Sequence, residues 1–163
     1  MQLYHGSRND FNQFNFKHLG KNGKAQGSGI YLTTDLDFAK GYGNILYTVD
    51  MVKGKALSLD KITVSKATLK KIMLDLHDTV DYLNNINDVS YYGINKVLND
   101  TLKLELEYNN NDVDIYNSIV NASGDLLEVC KAFKKHGYNF IQNDHVVVAL
   151  DPQDITILEK TGE

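Results

Sequence analysis

The residues of this chain able to do chemistry gather near its two ends. Tyr4-His5-Gly6-Ser7-Arg8 sets an imidazole, a hydroxyl and the only arginine of the chain around a glycine. Gly29-Ile30-Tyr31 and Gly41-Tyr42 then supply two aromatic faces eleven residues apart. Far along the chain, Asp144 precedes the apolar run Val146-Val147-Val148. An imidazole, two stacking faces, a cation and a carboxylate are what a nucleotide-handling cleft needs. Each also has a plainer reading: a hydrogen-bonded structural histidine, two core tyrosines, a solvated arginine and a turn aspartate.

Several other chemistries are excluded by spacing. The glycines around Gln26-Gly27-Ser28-Gly29 form neither Gly-x-Gly-x-x-Gly between a strand and a long helix nor a Walker A loop, and they lack the Gly-x-Ser-x-Gly of a serine hydrolase. The five histidines are scattered, with no His-Glu-x-x-His set, so no metal site is expected. Cys130 is the sole cysteine, which rules out an intramolecular disulfide and a thiolate zinc site. It falls where helical periodicity asks for an apolar residue, and so reads as a buried structural thiol.

A chain of 163 residues, 42% hydrophobic and 23% charged, is expected to fold as one globular domain spanning 1-163. The net charge of −4 gives no general attraction to nucleic acid or to an anionic membrane. A nucleic-acid partner would need a local basic patch, for which Arg8, Lys17, His18, Lys21 and Lys24 are the candidates; a solvated loop is the plainer reading. No apolar run has transmembrane length and no signal-peptide pattern opens the chain, so a cytoplasmic protein is expected.

The elements that must position these residues can be read from periodicity. Strands are expected at 2–5 and 29–33, a short helix at 36–40 capped by Thr34 or Asp35, and strands at 45–52 and 56–59 with a turn at 53–55 between them. Phe11, Phe14 and Phe16 would dock the loop after the first strand, and the Gly- and Lys-rich 17–28 reads as a loop long enough to cover a site. The middle, about 65–136, is helical. Ser65 caps a helix over 66–83 with Leu69, Ile72, Met73, Leu76, Val80 and Leu83 inward. A second helix covers 90–107 with Ile94, Val97, Leu98 and Leu102 inward, 109–112 breaks it, and helices at 113–122 and 125–135 follow, the last closed by Gly137. Strands return at 138–142, 146–150 and 155–158; Asn143-Asp144 separates the first two as a hairpin or a bulge, and Pro152 sits in the second turn. The class is α+β, with terminal strands expected to pair with early ones and helices between.

Leu3-Tyr4-His5-Gly6-Ser7-Arg8, Gly27 to Asp35, and Ala39-Lys40-Gly41-Tyr42 together resemble the NAD-binding core of ADP-ribosyltransferases of the His-Tyr-Glu group, which includes the poly(ADP-ribose) polymerases and diphtheria toxin. The resemblance covers the first third of the chain and resumes over 137–154. It implies an ADP-ribosyltransferase-like split mixed β-sheet core with a helical insertion, and NAD as co-substrate. By resemblance His5 bonds an NAD ribose hydroxyl, the Gly6 backbone clamps the carboxamide, and Tyr31 and Tyr42 sandwich the nicotinamide. Ser7 belongs to the same NAD-binding motif, and Arg8 with the basic loop faces the pyrophosphate. Asp144 stands for the family glutamate that steadies the cation formed as nicotinamide leaves, one methylene shorter, and Gln142 and Asn143 would help position the acceptor. Ala39 stands where the polymerases carry a serine that bonds the carboxamide. The activity so implied is mono-ADP-ribosyl transfer to a macromolecular acceptor, a protein ahead of a nucleic acid, by a cytoplasmic toxin or phage effector in a bacterial host, anti-CRISPR effectors included. A non-catalytic NAD, ADP-ribose or protein-binding module and an NAD glycohydrolase are the alternatives.

Overall fold

The computed structural model describes residues 1–15 and 29–162. The basic candidates Lys17, His18, Lys21 and Lys24, together with Phe16 and the first part of the 27–35 motif, lie outside the described residues. Two compact units are formed, Met1–Ala56 with Asn139–Glu163, and Leu57–Tyr138. The fold is α+β, with the helical middle inserted between strands from the two ends of the chain.

Among the described residues there are seven strands, β1 (Gln2–Ser7), β2 (Ile30–Thr33), β3 (Ile45–Met51), β4 (Lys55–Leu57), β5 (Tyr138–Asn143), β6 (Val146–Ala149) and β7 (Ile155–Thr161), with the short helix α1 (Leu36–Lys40) between β2 and β3. They hydrogen-bond in the order β4-β5-β6-β2-β1-β3-β7. Terminal and early strands pair as expected, β6 antiparallel to β2 and β7 antiparallel to β3. β3 reads as a strand because its residues alternate, with Ile45, Tyr47, Val49 and Met51 buried and those between them more exposed. The sheet is nearly divided at its middle. β1 pairs with β3 along its whole length, Gln2↔Asp50 to Ser7↔Ile45, yet with β2 only at Tyr4↔Thr33.

One face of the sheet buries Leu3, Ile30, Leu32, Tyr47, Val49, Phe140, Val147 and Ala149 around Phe14. The start of β5 is fastened by Asn139, whose amide donates to the carbonyl of Val52 at 2.7 Å and to Asp154 at 3.1 Å while its oxygen accepts from the Gly54 N–H at 2.8 Å. These bonds satisfy backbone groups at the end of β3 that no ladder reaches.

The helical unit holds α2 (Lys66–Val80), α3 (Tyr82–Ile86), α4 (Val89–Tyr92), α5 (Ile94–Tyr108), α6 (Asp112–Ser123) and α7 (Leu126–Lys135). Ser65 caps α2 by accepting from the Thr68 N–H, and Leu69, Ile72, Met73 and Leu76 are buried as their spacing requires. Two expected helices are interrupted. The helix expected over 66–83 ends at Val80, because Asp81 turns left-handed at φ 53°, and α3 starts anew. The helix expected over 90–107 is two, because Gly93 takes φ 87° between α4 and α5. That break leaves Ile94 at the first turn of α5, 37% exposed rather than inward, while Val97, Leu98 and Leu102 are buried. Asp112 was expected within the breaker and instead opens α6, nearly fully buried. Gly137 follows α7 with φ 92°, the C′ position its sequence implied. Cys130 is buried as a structural thiol, its sulfur 3.2 Å from the Tyr116 hydroxyl.

Candidate functional site

The near-division of the sheet makes the site. Beyond Tyr4↔Thr33 the strands β1 and β2 part, and the imidazole of His5 enters the gap with Nδ1 2.8 Å from the carbonyl oxygen of Tyr31. A carbonyl oxygen only accepts, so Nδ1 carries the proton; in the neutral ring Nε2 is then the acceptor. A side chain thus takes a bond that a continuous ladder would have given to backbone. The gap widens into a cleft of about 340 Å³, at the lower end of the size range of small-molecule sites.

Among the described residues, three separated segments line the cleft: one from His5, Gly6, Ser7 and Arg8 at the end of β1, one from Gly29 to Tyr31 at the start of β2, and one from Gly41-Tyr42 after α1. Six of the seven residues singled out in the sequence, His5, Gly6, Ser7, Arg8, Tyr31 and Tyr42, therefore share one cavity. Tyr31 is half-buried on β2, whereas Tyr42 is 52% exposed at the rim, its ring meeting Phe38 edge-on at 5.2 Å. Arg8 is exposed and is the one formal charge among the described lining residues, so the cleft favours an anion. Ser7 Oγ accepts from the Asn9 N–H at 3.0 Å and starts the turn that follows.

Gly6 is a glycine for a reason of packing. A Cβ there would stand 1.8 Å from the Ala39 carbonyl oxygen and 3.3 Å from Cβ of Tyr42. The end of α1 is pressed directly onto β1, which brings Tyr42 to the cleft, and Ala39 is buried in this contact. Asp35 fixes the start of α1, its carboxylate accepting from the N–H groups of Asp37 and Phe38.

Asp144 is the candidate that the cleft does not include. It is exposed, with φ 51°, in a two-residue turn closed by Asn143↔Val146, so the separator is a hairpin and not a bulge. Gln142 and Asn143, the acceptor candidates, are exposed beside it. The turn is nonetheless linked to the site. The His145 carbonyl accepts from the Thr34 N–H at 2.9 Å, and the His145 ring meets Phe38 edge-on at 4.4 Å, Phe38 in turn touching Tyr42.

Asn9, Phe11 and Phe14 also line the cleft, a role the sequence reading did not assign them. Their signal is the loose aromatic alternation after the first strand, which by itself implies only a docked loop. Docking and lining turn out to be one thing: Phe14 is buried and meets the His5 ring edge-on at 5.1 Å. Among the described residues no group of His, Cys, Asp or Glu could hold a metal ion, and no helix is long and apolar enough to cross a membrane.

An α+β sheet parted at its centre around a small, anion-favouring aromatic cleft is the class that fold and site define. No protein-family model matches the chain, and no curated protein matches it. Among solved structures the chain is similar to one described as "Crystal structure of an anti-CRISPR protein", at 16% identity, with 99% of this chain and 95% of that chain covered and a TM-score of 0.37. A likeness that loose carries neither fold nor function across.

Proposed function

We propose that the cleft binds NAD and that the chain is an ADP-ribosyltransferase acting on a macromolecular acceptor, a protein ahead of a nucleic acid. The observation that supports this reading is the convergence of His5, Gly6, Ser7, Arg8, Tyr31 and Tyr42, from three separated segments, on one cavity. In the reaction the bond between ribose C1′ and the nicotinamide nitrogen breaks, and nicotinamide leaves with the electron pair. Positive charge develops on the ribose, the acceptor nucleophile bonds C1′, and the acceptor's proton passes to solvent or base. Tyr31 and Tyr42 flank the nicotinamide, Nε2 of His5 accepts from a ribose hydroxyl, and Arg8 meets the pyrophosphate. Asp144 supplies the carboxylate, reaching the ribose from the hairpin tip. The setting that the resemblance implies is an effector directed at a host protein, anti-CRISPR effectors among them.

A second reading is favoured by one observation, that Asp144 is an exposed turn residue outside the cleft lining. In it the same cleft binds NAD or ADP-ribose without turnover. Calorimetric titration of the purified protein with NAD, followed by assay of nicotinamide release with and without bacterial lysate, separates the two. Transfer is expected to give binding, release, and a labelled acceptor from labelled NAD, with label lost in Asp144→Ala. Binding without release leaves the module, and labelling that persists in Asp144→Ala removes Asp144 from the mechanism. Free ADP-ribose formed at one rate whatever acceptor is added identifies a glycohydrolase. Absence of NAD binding sinks the transferase and the glycohydrolase, and absence of binding to both NAD and ADP-ribose sinks the module as well.

A further inference from the structure

The segment 9–14 gives Asn9, Phe11 and Phe14 to the cleft and is fastened by a side chain that does not itself line it. Tyr47 on β3 lies directly opposite His5 on β1 and is fully buried. Its hydroxyl donates to the Asn9 carbonyl at 3.0 Å and accepts from the Phe11 N–H at 2.9 Å. The Phe11 ring stacks on the Tyr47 ring at 4.3 Å with 9° between planes, and Phe14 stands edge-on to the His5 ring at 5.1 Å and 84°. A phenol bonded as donor and acceptor at once fixes both the height and the rotation of the segment it holds. Rings on two sides and the Tyr31 carbonyl on a third then leave the imidazole one orientation.

We propose that Tyr47 is a positioning residue: by strapping 9–14 over the imidazole it holds His5 with Nδ1–H on the Tyr31 carbonyl and Nε2 as acceptor. The strap stands on geometry alone; its bearing on NAD rests on the function proposed above. A loop closed by two bonds to one hydroxyl opens when the hydroxyl is removed, since both backbone partners then seek water. The imidazole gains room to rotate, and the tautomer that Tyr31 selected is no longer enforced.

The test is nitrogen-15 NMR of the histidine rings without ligand, joined to NAD titration, on the wild type, Tyr47→Phe and Phe11→Leu. Phe11→Leu keeps the phenol and its backbone bonds while removing the stacked ring, so it serves should Tyr47→Phe fold poorly. The wild type is expected to show His5 as one neutral tautomer protonated at Nδ1. Both variants are expected to show averaged tautomers at His5, with the other histidine signals unmoved and NAD bound about tenfold more weakly. His5 ring signals in both variants that superimpose on those of the wild type overturn the strap, whatever NAD does. If the wild type binds no NAD while His5 still changes in the variants, the strap stands and the proposed function falls.

Discussion

At Asp112 one carboxylate gathers the N–H groups of Ser58, Thr63 and Val64 together with the Thr63 hydroxyl, and the place is closed. At His5 the imidazole donates to the Tyr31 carbonyl, and the place opens as a cleft. In both regions a side chain answers for backbone, the loop 58–64 in the helical unit and the parted edge of β2 in the sheet unit. They differ in what the side chain borders. Asp112 has both oxygens engaged within the loop it holds; His5 bonds the Tyr31 carbonyl through Nδ1 and lines a cavity. A polar side chain that bonds backbone points to a site when it also lines a cavity, and to architecture when its bonds close on themselves.

The comparison breaks most visibly at Asp112. Asp112→Ala removes the acceptor of four donors, and buried donors left unpaired cost about 1 to 3 kcal/mol each before the loop relaxes. A net loss of about 4 kcal/mol in urea denaturation is expected. NAD affinity of the folded fraction is expected to match the wild type. A loss under about 1 kcal/mol would show that 58–64 finds other partners and that the closed region is less closed than its bonds imply.

Gly6→Ala comes next, because it acts on the open region through packing. The new Cβ would stand 1.8 Å from a backbone oxygen at the end of α1, so α1 must lift. Overpacking of this kind costs about 1 to 3 kcal/mol, and Tyr42 moves with the helix. Reduced stability with NAD affinity lost beyond what the unfolded fraction explains is the expected result; unchanged affinity would detach Tyr42 from the site. A smaller effect, of opposite sign for stability, is expected at the hairpin. Asp144 takes a left-handed conformation that glycine adopts without strain, so Asp144→Gly is expected to raise stability by about 0.5 kcal/mol. In a labelled-NAD assay the same variant is expected to lose transfer. Gained stability with transfer intact makes Asp144 a turn residue and nothing more.

Much of this was legible in the chain because local signals agreed with global ones. Ser65 and the 69, 72, 73, 76 spacing specify α2 without reference to anything distant, and Ile45 to Met51 specify β3 in the same way. The helix breaks at Asp81 and Gly93 were harder. Gly93 was visible as a glycine within a helical pattern, but only its φ of 87° says that it divides two helices, and nothing local marks Asp81 as left-handed. The convergence of His5, Tyr31 and Tyr42 was readable as a motif, whereas the gap that houses them depends on β1 and β2 pairing at one position only. Pairing extent is a property of two distant segments, and no periodicity within either one encodes it. The role of Tyr47 is hidden in the sequence for the same reason: in its strand it is one inward residue among four, and its hydroxyl has meaning only once the 9–14 segment lies over it.

Glu105 offers the finest test, because it stands between the two extremes. Its carboxylate accepts from Ser118 at 2.7 Å and from the Asn109 amide at 2.8 Å, two side-chain donors where Asp112 has four donors in all. Burial pushes its pKa above the ordinary carboxylate value, and the bonds from Ser118 and Asn109 only partly pull it back. The pKa of fully buried Tyr82, whose hydroxyl has no hydrogen-bond partner among the described residues, is raised first by its own burial and then by the charge on Glu105. A carboxyl group with a raised folded pKa binds its proton more tightly in the native state than in the unfolded one. Its stabilising share is therefore complete below the unfolded pKa and is lost as pH rises through the folded one. Glu105→Gln, neutral at every pH and still offering an oxygen to Ser118, is expected to be more stable than the wild type at neutral pH, with the difference closing as pH falls to about 4. Denaturation midpoints measured across that range decide it. A difference that stays constant with pH would mean that the two donors fully offset the cost of burial, which would place Glu105 with Asp112 among the closed sites.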